Sequence, residues 1–92
     1  PGPLQFWCEL YAPESGRTLN IFTTQPGVQV YTGNWLEGCP AGKNGHTYAN
    51  NDGIAIECQN YPDAPNKADY PDCVLRPGEV YQQAIIYAFG IR

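Results

Sequence analysis

Glycine and proline punctuate this chain so densely that a long helix has no room to form. The 92 residues include ten Gly and nine Pro, and the longest stretch free of both is the eleven residues 79–89. Gly is costly inside a helix because of its backbone entropy, and Pro because it lacks an N–H. The sequence therefore predicts an all-β chain with no helix longer than about two turns.

Runs of apolar and β-branched residues between the turns predict five strands. Residues 5–12 and 17–24 are expected to form a hairpin around a turn at 13–16, with Phe6, Cys8 and Leu10 on one face. Further strands are predicted at 28–31, 54–58 and 79–89, with irregular loops at 32–45 and 59–78. This order of short strands predicts an antiparallel β-sandwich.

Charge and cysteine usage exclude several classes of protein. The net charge is −4 and the five cations are scattered, whereas a nucleic-acid-binding domain carries a basic stripe. No apolar run approaches the roughly 18 residues that span a bilayer, so we expect no membrane partner. The four Cys form no CxxC pair, which argues against a zinc or thioredoxin-type site. Without a secretory signal, four free thiols in a cytoplasmic protein are favoured over two disulfides.

Two polar side chains are predicted to project from otherwise apolar strands. Ile54 and Ile56 mark the buried face of their strand, so Glu57 projects from the opposite face. Gln29 lies opposite Val28 and Val30 in the same manner. Each could simply be a solvated surface group. A carboxylate and an amide beside aromatic rings are nevertheless a set that binds sugars.

Two other candidates are rejected. His46 is the only histidine and has no second ligand at a recognisable spacing, so neither a metal site nor a catalytic role is predicted for it. Lys43 lies between glycines, but the residue after it is Asn rather than Ser or Thr, and no helix follows, so it is not a phosphate loop. No metal and no cofactor are expected.

Several blocks of the sequence, taken in order, resemble the C-terminal part of the aldose 1-epimerases, also called galactose mutarotases. These blocks are residues 23–34, 42–45, 56–64 with Asn66, and 75–79 with Tyr81. The resemblance covers residues 12–89. Two residues depart from the family pattern: Cys58 stands where Thr or Ser is usual, and Pro65 should stiffen its loop.

The resemblance implies a chemistry and a fold. Aldose 1-epimerases interconvert the α and β anomers of free sugars such as galactose and glucose without metal or organic cofactor. A Glu takes the proton of the C1 hydroxyl, a His protonates the ring oxygen, and the ring opens and recloses. By resemblance, Glu57 is the general base and Gln29 hydrogen-bonds the sugar. The implied fold is the C-terminal third of a larger mutarotase β-sandwich.

The resemblance also implies that part of the site lies outside these 92 residues. The general-acid His belongs to the N-terminal part of the family's enzymes, and His46 matches none of their motifs. We therefore expect the chain to work with the remainder of the same enzyme or a complementary chain, and to be inactive alone. The alternatives are a non-catalytic sugar-binding β-sandwich module and a small secreted protein with two disulfides.

Overall fold

A computed structural model describes residues 2–92, and it is all-β, as predicted. The strands are β1 (Gln5–Ala12), β2 (Arg17–Thr23), β3 (Gly27–Tyr31), β4 (Ala55–Gln59) and β5 (Ile85–Ile91). The helical content of these residues is confined to two 3₁₀ turns, Lys43–Gly45 and Ala64–Asn66. None of these helices is long and apolar enough to cross a membrane.

The strands form two antiparallel sheets, of the kind that the predicted sandwich requires. One sheet has three strands in the order β1-β2-β5, and the other pairs β3 with β4. The chain divides into two compact units, the first made of residues 2–27 and 58–92 and the second of residues 28–57. The three-stranded sheet lies in the first unit, and most of the β3-β4 sheet lies in the second.

The predicted hairpin at 5–24 is confirmed. At its turn, the carbonyl of Ala12 accepts hydrogen bonds from the amides of Ser15 at 3.2 Å and Gly16 at 2.8 Å. β1 and β2 then pair antiparallel, and β5 pairs with the other edge of β2. The amide of Arg92 donates to the carbonyl of Gly16 at 2.8 Å, which ties the end of the chain to this turn.

Of the predicted common face of Phe6, Cys8 and Leu10, only Cys8 and Leu10 share a side, because β1 contains an irregularity after Phe6. The register shifts between Phe6, which pairs with Phe22, and Cys8, which pairs with Ile21. The one extra residue reverses the alternation of side chains along the strand. Phe6 therefore shares a face with Phe22, and their rings meet edge-on with their centroids 5.5 Å apart.

The last strand begins later than predicted. Residues 79–84 are irregular, and β5 runs from Ile85 to Ile91. The amide of Glu79 donates to the carbonyl of Arg76 at 3.0 Å, and its carboxylate accepts from the amide of Arg76 at 2.8 Å, which makes a turn there. Thr24 then holds Ala84, whose amide donates to the Thr24 hydroxyl oxygen at 2.9 Å. These side-chain contacts take up groups that a sheet ladder would use.

The apolar core is thin. Among residues 2–92, Ile21 at the centre of β2 and Ala64 are the buried apolar residues, and Ile21 is 0% exposed. Apolar side chains of the sheet remain open to solvent, including Phe89 at 79% and Ile91 at 86% exposure. A chain of this size normally buries well over half of its surface on folding. The side chains of Phe89 and Ile91 therefore form an apolar surface that nothing within the described residues covers.

Candidate functional site

Contacts at both ends of β3 and β4 agree on how the two strands are paired. A Cβ on Gly27 would lie 3.5 Å from the carbonyl oxygen of Gln59, and a Cβ on Gly33 would lie 2.9 Å from that of Gly53. In an antiparallel pair, moving forward along one strand means moving back along the other. Both contacts fit one register, and that register places Gln29 directly opposite Glu57.

Gln29 and Glu57 consequently share one face of the β3-β4 sheet. Residues directly opposite each other in a sheet point to the same side, with Cβ atoms about 4.5–5.5 Å apart. Both side chains are exposed, and neither makes a hydrogen bond or ion pair within residues 2–92. A carboxylate and an amide thus lie side by side with their polar atoms available to a ligand.

The other face of this sheet is less buried than the sequence predicted. Ile56 is half-buried, but Ile54 is 51% exposed and lies before the start of β4 rather than within it. Val30 on β3 is also exposed. The alternation of apolar and polar residues predicted the two faces, but the expected burial of Ile54 is wrong, because no described residue covers it.

A hydrogen-bonded cluster, here named the Asn51 clamp, joins the segment after β3 to the turn before β4. It comprises Thr32, Gly33, Asn34 and Asn51. The Asn51 side-chain amide donates to the Thr32 carbonyl at 2.9 Å and to Asn34 Oδ1 at 2.7 Å, and the Asn51 backbone N–H donates to the Gly33 carbonyl at 2.7 Å. The Thr32 hydroxyl donates to Asn34 Oδ1 at 3.0 Å. The sequence predicted the turn at 50–53 but not this clamp.

A second close approach occurs in the first unit, at the residue where β3 begins. A Cβ on Gly27 would lie 2.7 Å from the ring carbon Cδ1 of Tyr61, so the ring packs directly against the glycine backbone. The ring of Tyr70 meets that of Tyr61 edge-on at 5.2 Å. Glycine is required at such positions because any side chain would displace the ring.

His46 and Lys43 lie in a local turn of the second unit. The His46 ring contacts the ring of Tyr48 at 4.9 Å, and the backbone N–H of His46 donates to the Lys43 carbonyl at 3.1 Å. Within residues 2–92, no hydrogen bond joins His46 to Glu57 or Gln29. The same residues contain no group of three or more His, Cys, Asp or Glu side chains that could hold a metal ion.

Cys58, the residue after Glu57, lies near a second cysteine, Cys8. Within residues 2–92 these thiols form no disulfide: Cys8, Cys58 and Cys73 are half-buried, and Cys39 is exposed. Burial raises the pKa of Cys8, and the charge of Cys58 raises it further. The four free thiols of a cytoplasmic protein stay a prediction.

Comparison with known proteins finds one family. The family model described as Aldose 1-epimerase matches residues 3–88. Galactose mutarotase from Homo sapiens is 45% identical over 86 residues, which are 94% of this chain and 25% of the human protein.

Similar relatives occur in other mammals and in bacteria. Galactose mutarotase from Mus musculus is 48% identical over 77 residues, covering 84% of this chain and 22% of the mouse protein. Aldose 1-epimerase from Escherichia coli is 42% identical over 73 residues, which cover 77% of this chain and 21% of the bacterial protein. The chain thus spans about a quarter of the length of the curated relatives that it matches.

Proposed function

Because this chain belongs to the aldose 1-epimerase family, we propose that it forms part of a mutarotase that interconverts the α and β anomers of free aldohexoses such as galactose and glucose. The observation that carries the proposal is the placement of Glu57 opposite Gln29 on one exposed face of the β3-β4 sheet. The two residue types suit the reaction, which needs a base at one sugar hydroxyl and neutral hydrogen bonds to the others.

Glu57 is the proposed general base. Its carboxylate takes the proton of the C1 hydroxyl while a histidine outside these 92 residues gives a proton to the ring oxygen. The bond between C1 and the ring oxygen breaks, and an open-chain aldehyde forms. After rotation about the bond between C1 and C2, the hydroxyl formed from the ring oxygen attacks the other face of C1. The two protons then return, so the reaction consumes nothing and needs no cofactor.

Gln29 is the proposed binding residue. Its amide carries both donors and an acceptor, which suits sugar hydroxyls that themselves donate and accept. Being uncharged, it holds the sugar without competing for the proton that Glu57 removes. Its place opposite Glu57 lets one sugar ring contact both side chains.

The partner that we propose is the remainder of a longer polypeptide of the same family. The exposed apolar surface described above supports this, since soluble monomers rarely expose large contiguous apolar patches. The relatives are about four times longer than this chain. We therefore propose that these residues form the C-terminal part of a mutarotase β-sandwich, that they are inactive alone, and that the enzyme is cytoplasmic.

The test is polarimetry on the complete natural polypeptide that contains these residues, starting from pure α-galactose and α-glucose. Glu57→Gln keeps the size of the side chain but cannot accept a proton, so we expect kcat to fall ~10²–10⁴-fold with sugar affinity nearly unchanged. Gln29→Ala removes one neutral hydrogen bond of ~0.5–1.5 kcal/mol, so we expect about a tenfold loss of kcat/KM. Glu14→Gln, at the exposed β1-β2 turn, is the matched control and should be normal.

Near-normal turnover by Glu57→Gln would show that another residue is the base. A non-catalytic sugar-binding module is the second candidate, because the exposed side chains of Glu57 and Gln29 could bind sugar hydroxyls without any proton transfer. Saturable binding of galactose by the complete polypeptide, with anomer exchange no faster than in buffer, would establish that alternative.

A further inference from the structure

We infer that Asn51 is a positioning residue that sets the register of β4 against β3 and so keeps Glu57 beside Gln29. This inference rests on the proposed function, since it concerns the same pair of side chains. Asn51 precedes Glu57 by six residues and lies outside both strands, so it acts on the base only through the backbone.

The β3-β4 sheet needs such a device. It consists of two strands of five residues each, and an isolated two-stranded sheet is marginally stable in water. A slip of one residue would turn every side chain of the slipped strand to the opposite face. Glu57 would then leave the face that carries Gln29, and Cys58 would take its place.

The Asn51 clamp fixes the register by joining fixed points on both segments. A side-chain amide has two N–H donors, and those of Asn51 reach the carbonyl of Thr32 and Oδ1 of Asn34. The backbone N–H of Asn51 holds Gly33, which lies between them. A register slip of one residue moves a strand by about 3.3 Å, enough to break all three bonds together.

The backbone of Asn51 also suits this role. Its φ is 68°, in the left-handed region, which Asn adopts more readily than most residues. A substitution therefore has two separable effects, loss of the side-chain bonds and strain in the backbone. Asn51→Gly removes the first without adding the second, so it isolates the side-chain bonds of the clamp.

Asn51→Gly is to be compared with Asn44→Gly in the complete natural polypeptide. Asn44 has a φ of 56° and lies in the 3₁₀ turn Lys43–Gly45, outside the clamp, so it is a matched control. For Asn51→Gly we expect kcat to fall about tenfold or more, because small displacements of a catalytic group cost rate, while KM changes less than about threefold. Asn44→Gly should leave both constants unchanged.

A double-mutant cycle tests whether the clamp is the cause. Asn34→Ala removes the acceptor that Asn51 and Thr32 share, so it should lower kcat in the same direction. Combining it with Asn51→Gly should give a loss close to that of Asn51→Gly alone, because both changes break one device. Losses that multiply would show two independent effects and would overturn the inference.

Other outcomes are equally decisive. If folded Asn51→Gly keeps kcat within twofold of the unmodified protein, Asn51 does not position the base. If that variant does not fold, Asn34→Ala alone decides, and normal kcat refutes the clamp. A normal Asn51→Gly with an inactive Glu57→Gln refutes only this inference. An active Glu57→Gln refutes the proposed base, and the inference about Asn51 with it.

Discussion

Adding a single methyl group at Gly33 should loosen the segment that the Asn51 clamp holds. Gly33 has a φ of +73°, and a Cβ there would lie 2.9 Å from the Gly53 carbonyl oxygen and 2.9 Å from Leu36 Cδ1. The left-handed conformation costs a residue with a side chain about 1–2 kcal/mol. Crowding a packed site costs about 1–3 kcal/mol more. The Leu36 side chain can move aside, but the carbonyl belongs to the backbone that leads into β4.

Together these two costs should lower the free energy of local opening in Gly33→Ala by about 2–5 kcal/mol. The amide of Asn51 reports this opening directly, because it donates to the Gly33 carbonyl at 2.7 Å. At 1.4 kcal/mol for each factor of ten, its hydrogen exchange should become about 30- to 4,000-fold faster. Native-state exchange followed by NMR on the complete polypeptide measures this at one residue.

Gly53→Ala is the matched control. A Cβ at Gly53 meets no atom within 4 Å, and Ala restricts the unfolded chain more than Gly does, so this variant should be neutral or stabilising by up to about 1 kcal/mol. If the Asn51 amide in Gly33→Ala exchanges within threefold of its rate in the unmodified protein, a side chain at residue 33 does not crowd the Gly53 carbonyl enough to destabilise this segment. The register argument would then lose one of its two contacts.

Two further predictions concern residues of the first unit, each compared with an exposed residue of the second. Ile21 is fully buried, so Ile21→Ala should lower the free energy of unfolding by about 2–5 kcal/mol. Val30→Ala, at an exposed position, should lower it by less than about 1 kcal/mol. Urea denaturation of the complete polypeptide measures both values, and equal losses would contradict the assignment of the core. Because burial and the charge of Cys58 raise the pKa of Cys8, less of this thiol is ionised near pH 8. Iodoacetamide should therefore modify Cys8 more slowly than the exposed Cys39, and the difference in rate should shrink as the pH rises. Mass spectrometry measures the two rates, and equal rates at pH 8 would contradict this prediction.

Local chemistry predicted the strands that begin and end at strong turn signals. β1 and β2 lie where the turn at 13–16 places them, and β3 follows Pro26 as expected. The errors arose where a distant contact decides the outcome. The contact of Ala84 with Thr24, sixty residues away, accompanies the late start of β5, and the irregularity in β1 depends on its pairing with β2. Neither contact leaves a periodic signal in the local sequence.

The candidate site follows the same division. Alternation along each strand was enough to place Gln29 and Glu57 on polar faces, because the direction of a side chain in a strand depends only on its parity. Whether two such faces coincide depends on register, which is a property of the pair of strands and not of either one. Register here rests on contacts such as those of Asn51, and the Asn-Asn-Asp-Gly sequence predicts a turn without indicating which side chain bonds back across it. The residues that carry the proposed chemistry could therefore be read from one strand at a time, whereas the residue that aligns them required both strands in place.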